Sequence, residues 1–202
     1  MPSWPMDMEE RDVDAVMETV VEPLMTDWAE GPLTEDARSR ALGKSYVDTV
    51  KRAAWLFTRH MRNSHFTTQG TEVAFGEPGG LPPVMLQLAD GSRVALRGKI
   101  DRIDRYEGDH GVYLRVVDYK TGRSLKTDTD RRAAYEIQAK CYAYALLLQG
   151  FQDVDLDFVF VDQPDEGDPA IPQVTHFPAP GQPRYEREAL RAQLEQTARA
   201  IV

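Results

Sequence analysis

Two short segments constrain the fold of this sequence more than any others, because each predicts an apolar strand that ends in charged residues. The first is Gly98–Asp104 and the second is Val116–Gly122. The stretch Glu107–Gly111 between them is typical of a hairpin turn, so the two strands are predicted to be neighbours. Their ends would then bring together three carboxylates and a lysine: Asp101, Asp104, Asp118 and Lys120.

Acids beside a lysine, carried on rigid strands, suit a divalent metal ion and a phosphodiester. Hydrolysis of that bond needs hard oxygen ligands for Mg²⁺ and a cation that stabilises the charge on phosphorus. Asp101 and Asp118 would supply the oxygens. Lys120 lies two residues after Asp118, so both side chains point to the same face of a strand. Tyr119 points away, but its backbone carbonyl can still serve as a hard ligand.

The Asp-x-Lys tripeptide is a weak signal by itself, because it is more often a solvated turn or a salt bridge. The interpretation depends on its neighbours in the sequence. Asp101 lies 17 residues before Asp118 in the predicted partner strand. Gln138 and Tyr142 follow at the i, i+4 spacing that places two side chains on one helix face. Together these residues favour a metal-dependent site over a simple ion pair.

Hydrophobic spacing predicts helices first, then a series of strands, a helix, a strand and a last helix. This order favours one α/β domain with a mixed sheet flanked by helices. Residues 1–65 would form a helical part, 66–162 the sheet core with the helix 131–148, and 163–202 a loop and a C-terminal helix. The predicted helices are Asp12–Trp28, a second helix or pair of helices ending near Arg62, Arg131–Leu148 and Tyr185–Val202. The predicted strands are Thr71–Phe75, Val84–Leu88, Arg93–Leu96, Lys99–Arg105, Val112–Tyr119 and Asp155–Val161, and Gln163–Pro183 is predicted to be a loop.

Composition excludes several classes of protein. The net charge of −9 argues against a protein that coats DNA, although a nuclease remains compatible with it. The single cysteine, Cys141, excludes an internal disulfide and a four-cysteine cluster within this chain, and it is expected to be a small buried residue. Residues 1–10 do not resemble a signal peptide, and no window approaches the ~20 apolar residues of a membrane span. The chain is therefore predicted to be cytoplasmic, without a membrane partner.

The two strand motifs and the helix pair resemble the RecB-like branch of the PD-(D/E)xK nuclease superfamily. The matching residues are Gly98–Asp104, Val117–Gly122 and Gln138-x-x-x-Tyr142-Ala143. This resemblance implies a restriction-endonuclease-like fold. The wider stretch from Phe66 to Leu148 is similar to the C-terminal nuclease domain of the B subunit of AddAB-type helicase–nucleases. The similarity there includes Glu72–Gly76, the loop Gly79–Pro83, Leu86–Leu88 and Asp90-Gly91.

The resemblance also implies a role for each site residue and a Mg²⁺ cofactor, with Mn²⁺ as a substitute. Asp101 and Asp118 would bind the metal together with the Tyr119 carbonyl, and Lys120 would be the catalytic lysine. The residues expected to support Lys120 or to face DNA are Gln138, Tyr142 and Glu72, although Glu72 is equally compatible with a charge at a strand edge. Arg102 and Asp104 are expected to form a structural ion pair.

Two features of the family pattern are absent from this sequence. The family has a further histidine ligand in a Gly-x-x-x-His motif, whereas His60 and His65 do not fit that spacing and are expected at the surface. The family also has four cysteines that hold an iron–sulfur cluster, and only Cys141 is present. The chain would then be either a fragment of a longer protein or a divergent member. Both explanations leave the activity of the isolated chain open.

The leading hypothesis is a Mg²⁺-dependent deoxyribonuclease. It would be the DNA exonuclease domain of a helicase–nuclease complex in double-strand break repair by homologous recombination, with DNA and the helicase A subunit of the complex as partners. The alternatives are a catalytically impaired DNA-binding or scaffold domain of the same fold, and a stand-alone exonuclease of Cas4 or phage type. Five cations would be candidates for contacts to the DNA backbone, although a solvated face is the more common role for any one of them: Arg123, Lys126, Arg131, Arg132 and Lys140.

Overall fold

The computed structural model describes residues 7–29, 37–62, 64–109, 111–121, 129–169 and 171–201. Four helices and seven strands lie within these ranges. The helices are α1 (Glu10–Ala29), α2 (Ala37–Arg62), α3 (Thr129–Leu147) and α4 (Arg187–Ile201). The strands are β1 (Thr67–Phe75), β2 (Val84–Gln87), β3 (Arg93–Leu96), β4 (Gly98–Gly108), β5 (Gly111–Lys120), β6 (Asp153–Pro164) and β7 (Pro172–Phe177).

Five strands form the main sheet in the order β1-β4-β5-β6-β7. Strand β4 pairs antiparallel with β1 on one side and with β5 on the other. The predicted hairpin between β4 and β5 is confirmed, and its register pairs Arg102 with Val117 and Gly108 with Gly111. Helix α3 forms the connection from β5 to β6, which are neighbours in the sheet. The predicted α/β class with a mixed central sheet flanked by helices is confirmed.

Strands β2 and β3 form a separate two-stranded sheet, so they do not extend the main sheet. Only one face of this hairpin is buried: Val84 and Leu86 are enclosed, whereas Met85 is exposed. The turn depends on Asp90, whose Oδ1 accepts hydrogen bonds from the Ser92 amide at 2.9 Å and the Ser92 hydroxyl at 2.6 Å. This is the Asp-Gly turn that the sequence predicts. The hairpin contacts α3 and α4.

The described residues fall into two compact units. The first contains the chain up to Ser64 together with Phe160–Gln173. In it, α1 contacts α2, and the Lys51 ammonium pairs with Glu18 at 2.6 Å. The C-terminal half of α2 is buried at Leu56, Phe57 and Met61. Tyr46 and Val50, nearer its N-terminus, are exposed.

The second unit contains His65–Val159 and the chain from Val174 onward. Strand β2 buries alternate residues, whereas β4 and β5 each bury three in a row, at Arg102–Asp104 and Val116–Asp118. One face of β4 and β5 lies against a helix. Helix α3 closes over that face, where the Tyr135 ring packs against Phe158 with ring centroids 5.0 Å apart. The remainder of this core includes Ile100, Leu114, Val116, Ala143, Leu146 and Leu156. All residues of the candidate site belong to this unit.

One predicted element is wrong. The sequence predicts a loop over Gln163–Pro183, but β6 continues to Pro164 and β7 occupies Pro172–Phe177 within it. Six residues are enough for a strand when a neighbouring strand satisfies their backbone groups, and the surrounding prolines and glycines hid this one in the sequence. The bounds of the other predicted elements differ by a few residues at their ends. The structure contains no helix within its described residues that is long and apolar enough to cross a membrane.

Candidate metal and phosphodiester site

The register of β4 and β5 brings Asp101 and Asp118 together. Arg102 pairs with Val117, so the same register places Asp101 opposite Asp118. Residues opposite one another in an antiparallel pair point to the same face, with Cβ atoms about 4.5–5.5 Å apart. The two carboxylates therefore share one side of the sheet at the end of the hairpin ladder. Asp118 is 2% exposed, whereas Asp101 is half-buried.

The Asp118 carboxylate has different surroundings at its two oxygens. Oδ1 accepts a hydrogen bond from Gln138 Nε2 at 3.0 Å. Oδ2 forms an ion pair with Lys120 Nζ, yet it is buried and receives no hydrogen bond of acceptable geometry. Burial raises the pKa of Asp118; the Lys120 cation opposes this rise and the Asp101 charge adds to it. One buried oxygen therefore retains lone pairs for a further cation.

The ammonium of Lys120 is enclosed by two rings and two polar side chains. It lies 4.7 Å from the Tyr135 ring centroid and 4.9 Å from that of Phe158. It also donates a hydrogen bond to Gln138 Oε1 at 3.0 Å and pairs with Asp118. Contacts with aromatic faces stabilise a cation and restrict its rotamers. Lys120 is therefore held in one position beside the carboxylates.

Gln138 and Tyr142 connect α3 to both strands. The Gln138 amide donates to the Tyr142 hydroxyl at 2.8 Å as well as to Asp118. The Tyr142 hydroxyl donates to the Lys99 carbonyl at 2.9 Å. The predicted i, i+4 pair thus reaches Asp118 and Lys120 on β5 and the backbone of β4, which fixes the helix relative to the two strands.

Tyr119 contributes backbone atoms to this side and a side chain to the other. Its amide donates to Asp101 Oδ2 at 2.9 Å. Its hydroxyl accepts a long hydrogen bond of 3.5 Å from Arg102 Nη1. Arg102 is held by Asp104 through two hydrogen bonds, of 2.5 and 2.9 Å. The expected structural ion pair between Arg102 and Asp104 is therefore present, and both side chains are buried.

Glu72 lies on β1, opposite Asp101. Thr71 pairs with Arg102 and Val73 pairs with Ile100, so the intervening residues Glu72 and Asp101 face one another. The backbone of Glu72 has a φ of +53°, the left-handed region that non-glycine residues rarely adopt. Its carboxylate forms an ion pair with Lys99.

The remaining cations that were candidates for DNA contacts are divided. Arg131 is near the site, because its Nη2 donates to the Tyr135 hydroxyl at 3.3 Å. Arg132 and Lys140 instead line a groove together with Phe177 and residues of α4. Lys140 is also paired with Glu136 at 2.8 Å. Arg123 and Lys126 lie outside the described residues.

The two histidines that were expected at the surface, His60 and His65, and the single cysteine have different surroundings. His60 is half-buried on α2, where its ring packs 6.3 Å from that of Phe57. His65 is exposed and stacks 6.2 Å from Tyr106, which is five residues beyond Asp101 on β4. Cys141 is on α3 and is only half-buried, less than the sequence predicts; burial raises the pKa of its thiol to about 11.

The donor set fits a hard divalent cation. The described part of the chain has no group of three or more His, Cys, Asp or Glu side chains arranged for a metal. Mg²⁺, however, is usually bound by one or two protein carboxylates and completes its shell with water and substrate phosphate. Asp101, Asp118 and the Tyr119 carbonyl offer only oxygen atoms, and the unsatisfied Asp118 Oδ2 leaves one of them available.

Three site neighbours are absent from the sequence-based prediction. Tyr135 and Phe158 enclose Lys120, and Lys99 on β4 forms an ion pair with Glu72 on β1. Tyr135 could have been found, since it precedes Gln138 by three residues on one helix face. Phe158 and Lys99 depend on which strands are neighbours and in which register, and the local sequence does not contain that information.

Comparisons with known proteins identify a matching family and similar proteins. A family profile described as the PD-(D/E)XK nuclease superfamily matches residues 5–202. The B subunit of an ATP-dependent helicase/deoxyribonuclease of Ruminiclostridium cellulolyticum is 37% identical over 127 residues, which are 63% of this chain and 11% of that protein. The protein of the same name from Acetivibrio thermocellus is 32% identical over 153 residues, 76% of this chain and 12% of its own. The chain thus spans little more than a tenth of either relative.

Among solved structures, the crystal structure of SSO0001 aligns with 93% of this chain and 70% of its own, at 16% identity and a TM-score of 0.38. The family profile, in contrast, covers nearly the whole chain, including every residue that surrounds Asp101 and Asp118. This chain belongs to the PD-(D/E)XK nuclease superfamily.

Proposed function

We propose that this chain is a metal-dependent DNA exonuclease domain of a helicase–nuclease that acts in double-strand break repair by homologous recombination. One observation carries the proposal: Asp101 and Asp118 lie opposite one another, with Lys120 held beside Asp118 on the same face. Two acids and a fixed cation are what phosphodiester hydrolysis requires. The similarity to the B subunits of helicase/deoxyribonucleases supports the biological context.

Each site residue has a role that follows from its contacts. Asp101, Asp118 and the Tyr119 carbonyl would hold Mg²⁺ or Mn²⁺. When bound, the metal supplies Lewis-acid stabilisation of the phosphoryl oxygens and lowers the pKa of water. The Lys120 ammonium orients the attacking water and stabilises negative charge that develops on the phosphoryl group. Gln138 keeps Lys120 and Asp118 in place, since it hydrogen-bonds to both.

The rest of the site orients these groups. Tyr142 fixes the Gln138 amide and ties α3 to β4 through the Lys99 carbonyl. The Tyr119 amide donates to Asp101 Oδ2, which fixes one oxygen of that carboxylate. DNA phosphate would complete the metal shell, because the protein offers few ligands.

The partners proposed with this function are DNA and the helicase A subunit. The iron–sulfur cluster of the resembling family has no four-cysteine site in this sequence, since Cys141 is its single cysteine. The cytoplasmic location and the single domain over residues 1–202 stay predictions.

Asp118→Ala tests the proposal directly. We expect the wild-type chain to bind Mn²⁺ or Mg²⁺ in calorimetry and to degrade a labelled single-stranded oligonucleotide from one end. Asp118→Ala should abolish both metal binding and cleavage, whereas Lys120→Ala should abolish cleavage and leave DNA binding nearly intact. Metal binding that is unchanged in Asp118→Ala would contradict the site assignment.

A catalytically impaired DNA-binding or scaffold domain is the alternative, as the small number of carboxylate ligands among the described residues favours it. The same experiment separates the two functions. DNA binding by the wild-type chain without metal-dependent cleavage would support the alternative. Cleavage that depends on both Asp118 and Lys120 would exclude it.

A further inference from the structure

Each of the two strands of the site carries one lysine and one aspartate two residues apart, in the opposite order along the chain. Strand β4 presents Lys99 and then Asp101, and β5 presents Asp118 and then Lys120. Lys99 lies two residues before Asp101, and Lys120 lies two residues after Asp118. Residues two apart on a strand point to the same face. Two lysines therefore flank two acids on one side of the sheet, but only Lys120 has a role in the proposed hydrolysis.

The two lysines have opposite surroundings. Lys120 is enclosed, with 16% of its side chain exposed, and it contacts Asp118, Gln138 and the rings of Tyr135 and Phe158. Lys99 has 58% of its side chain exposed, and its ammonium contacts one carboxylate, that of Glu72. An exposed ammonium on a flexible stem is suited to bind a phosphate that arrives from solvent.

Glu72 is held at this place by its backbone. Its φ of +53° is unfavourable for a residue with a Cβ, and Glu72 is the one non-glycine residue with positive φ among those the structure describes. Strain of this kind persists where the surrounding structure requires it, and it is common at ligand sites. Here it places an exposed carboxylate beside Lys99 and opposite Asp101.

We propose that Lys99 binds the DNA phosphate adjacent to the scissile phosphate, which lies at Asp101 and Asp118. In the absence of DNA the Lys99 ammonium is paired with Glu72, and the DNA phosphate replaces this carboxylate. This inference rests on the proposed nuclease function. Two residues of strand separate Lys99 from Asp101 by about 6.6 Å, comparable to the spacing of consecutive phosphates along a single strand. Lys99 thus acts in substrate binding, whereas Lys120 acts on the scissile phosphate.

The proposal predicts opposite changes in DNA affinity for substitutions of Lys99 and Glu72. Lys99→Gln removes a phosphate contact, so DNA affinity should fall at least threefold. The slope of log affinity against log salt should become shallower by about 0.7, the value of one phosphate contact on a single strand. Glu72→Gln frees the ammonium and removes a repelling charge, so DNA affinity should rise.

The fluorescence anisotropy of a labelled single-stranded oligonucleotide, measured over a salt series, gives these changes in DNA affinity. EDTA in the buffer prevents cleavage during the measurement. Glu72→Gly is a second variant that removes the carboxylate and relieves the positive φ, so its affinity should also rise. In a Lys99→Gln background the gain from Glu72→Gln should shrink, because Glu72 acts through Lys99. The matched control is Arg105→Gln. It removes a cation that is also paired with a glutamate, Glu107, but that lies six residues from Lys99 on β4, about 20 Å along the strand.

Cleavage kinetics in Mg²⁺ complete the test. Lys99→Gln should raise KM for DNA at least threefold, with a smaller effect on kcat. Equal losses of affinity in Lys99→Gln and Arg105→Gln, or weaker binding in Glu72→Gln, would overturn the proposal. If the wild-type chain cleaves DNA and Lys99→Gln is indistinguishable from it, this inference fails while the nuclease function stands. If the wild-type chain binds DNA but does not cleave it, the nuclease function fails.

Discussion

In the proposed function, the protonation of Asp118 controls whether the site can accept a cation. Burial raises the pKa of this carboxyl above its usual value. The neutral form therefore stabilises the folded state fully below the pKa of the unfolded chain, and this contribution is lost as the pH rises through the folded pKa. Above its raised pKa the ionised carboxylate is a cost to the fold that a bound cation would offset.

Metal affinity should consequently depend on pH. Only the carboxylate binds a cation, so the Mn²⁺ affinity should fall about tenfold per pH unit below the raised pKa of Asp118 and become constant above it. Calorimetry over a pH series of about 4 to 8 measures this, with proton release detected from the buffer dependence of the heat. Affinity that is constant down to the pKa of an ordinary aspartate would contradict a role for the buried carboxyl.

The site was predictable from sequence where its residues are related by local spacing. Asp118 and Lys120 share a face because strands alternate, and Gln138 and Tyr142 share one because helices repeat. The enclosure of Lys120 by Phe158 was not predictable in this way. It requires β6 to lie beside β5, which is a consequence of the whole sheet and not of any single segment.

At the scale of elements, the pairing of β1 with the first residue of β4, Gly98, depends on the absence of a side chain there. A Cβ at this position would lie 2.7 Å from the Phe75 ring, which pairs with Gly98 across the β1–β4 ladder. The Phe75 ring is buried and meets Tyr142 edge-on, with ring centroids 6.0 Å apart. The glycine therefore lets β1 approach β4 closely enough to support the tyrosine of the site.

Gly98→Ala should destabilise the protein by about 1–3 kcal/mol, because it overpacks a buried contact. It should also lower cleavage, since displacement of Phe75 moves Tyr142. Urea unfolding and cleavage assays measure the two effects. The double variant Gly98→Ala/Phe75→Leu should recover part of the stability, because leucine leaves room for the methyl group. No recovery would show that the contact with Phe75 is not the cause.

The elements themselves were predicted well where periodicity is strong, as in the β4–β5 hairpin and α3. Strand β7 was missed because its six residues lie among prolines and glycines, and only pairing in the sheet makes them a strand. The separation of β2 and β3 from the main sheet also could not be inferred, since two short alternating strands are compatible with either arrangement.

At the scale of the molecule, the family and its restriction-endonuclease-like α/β fold are the features that the sequence motifs predicted and the whole chain confirms. The net charge of −9 repels a polyanion at long range. The proposed binding of DNA would therefore depend on cations close to the site. The exposed Lys99 and the half-buried Arg131 are cations placed close to the acids of the site.

Metal binding should stabilise the whole chain. A cation that binds only the folded state adds RT ln(1 + [L]/Kd), about 2.7 kcal/mol at a hundredfold excess over Kd. We expect Mg²⁺ at neutral pH to raise the midpoint of thermal unfolding in the wild-type chain and to have no effect on Asp118→Ala. Calorimetric scans with Mg²⁺ and with EDTA provide the comparison. An equal shift in both proteins would place the stabilising cation elsewhere.

The hydrogen bond from the Tyr119 amide to Asp101 has a consequence for how the site can be observed. Most amides of a paired strand donate to a carbonyl of the neighbouring strand, but the Tyr119 amide donates to the Asp101 carboxylate, which is proposed to bind the metal. Its proton resonance and its exchange with solvent therefore respond to whatever draws electron density from Asp101. A single backbone amide, without any added label, thus records the electrostatic state of the site from within the sheet.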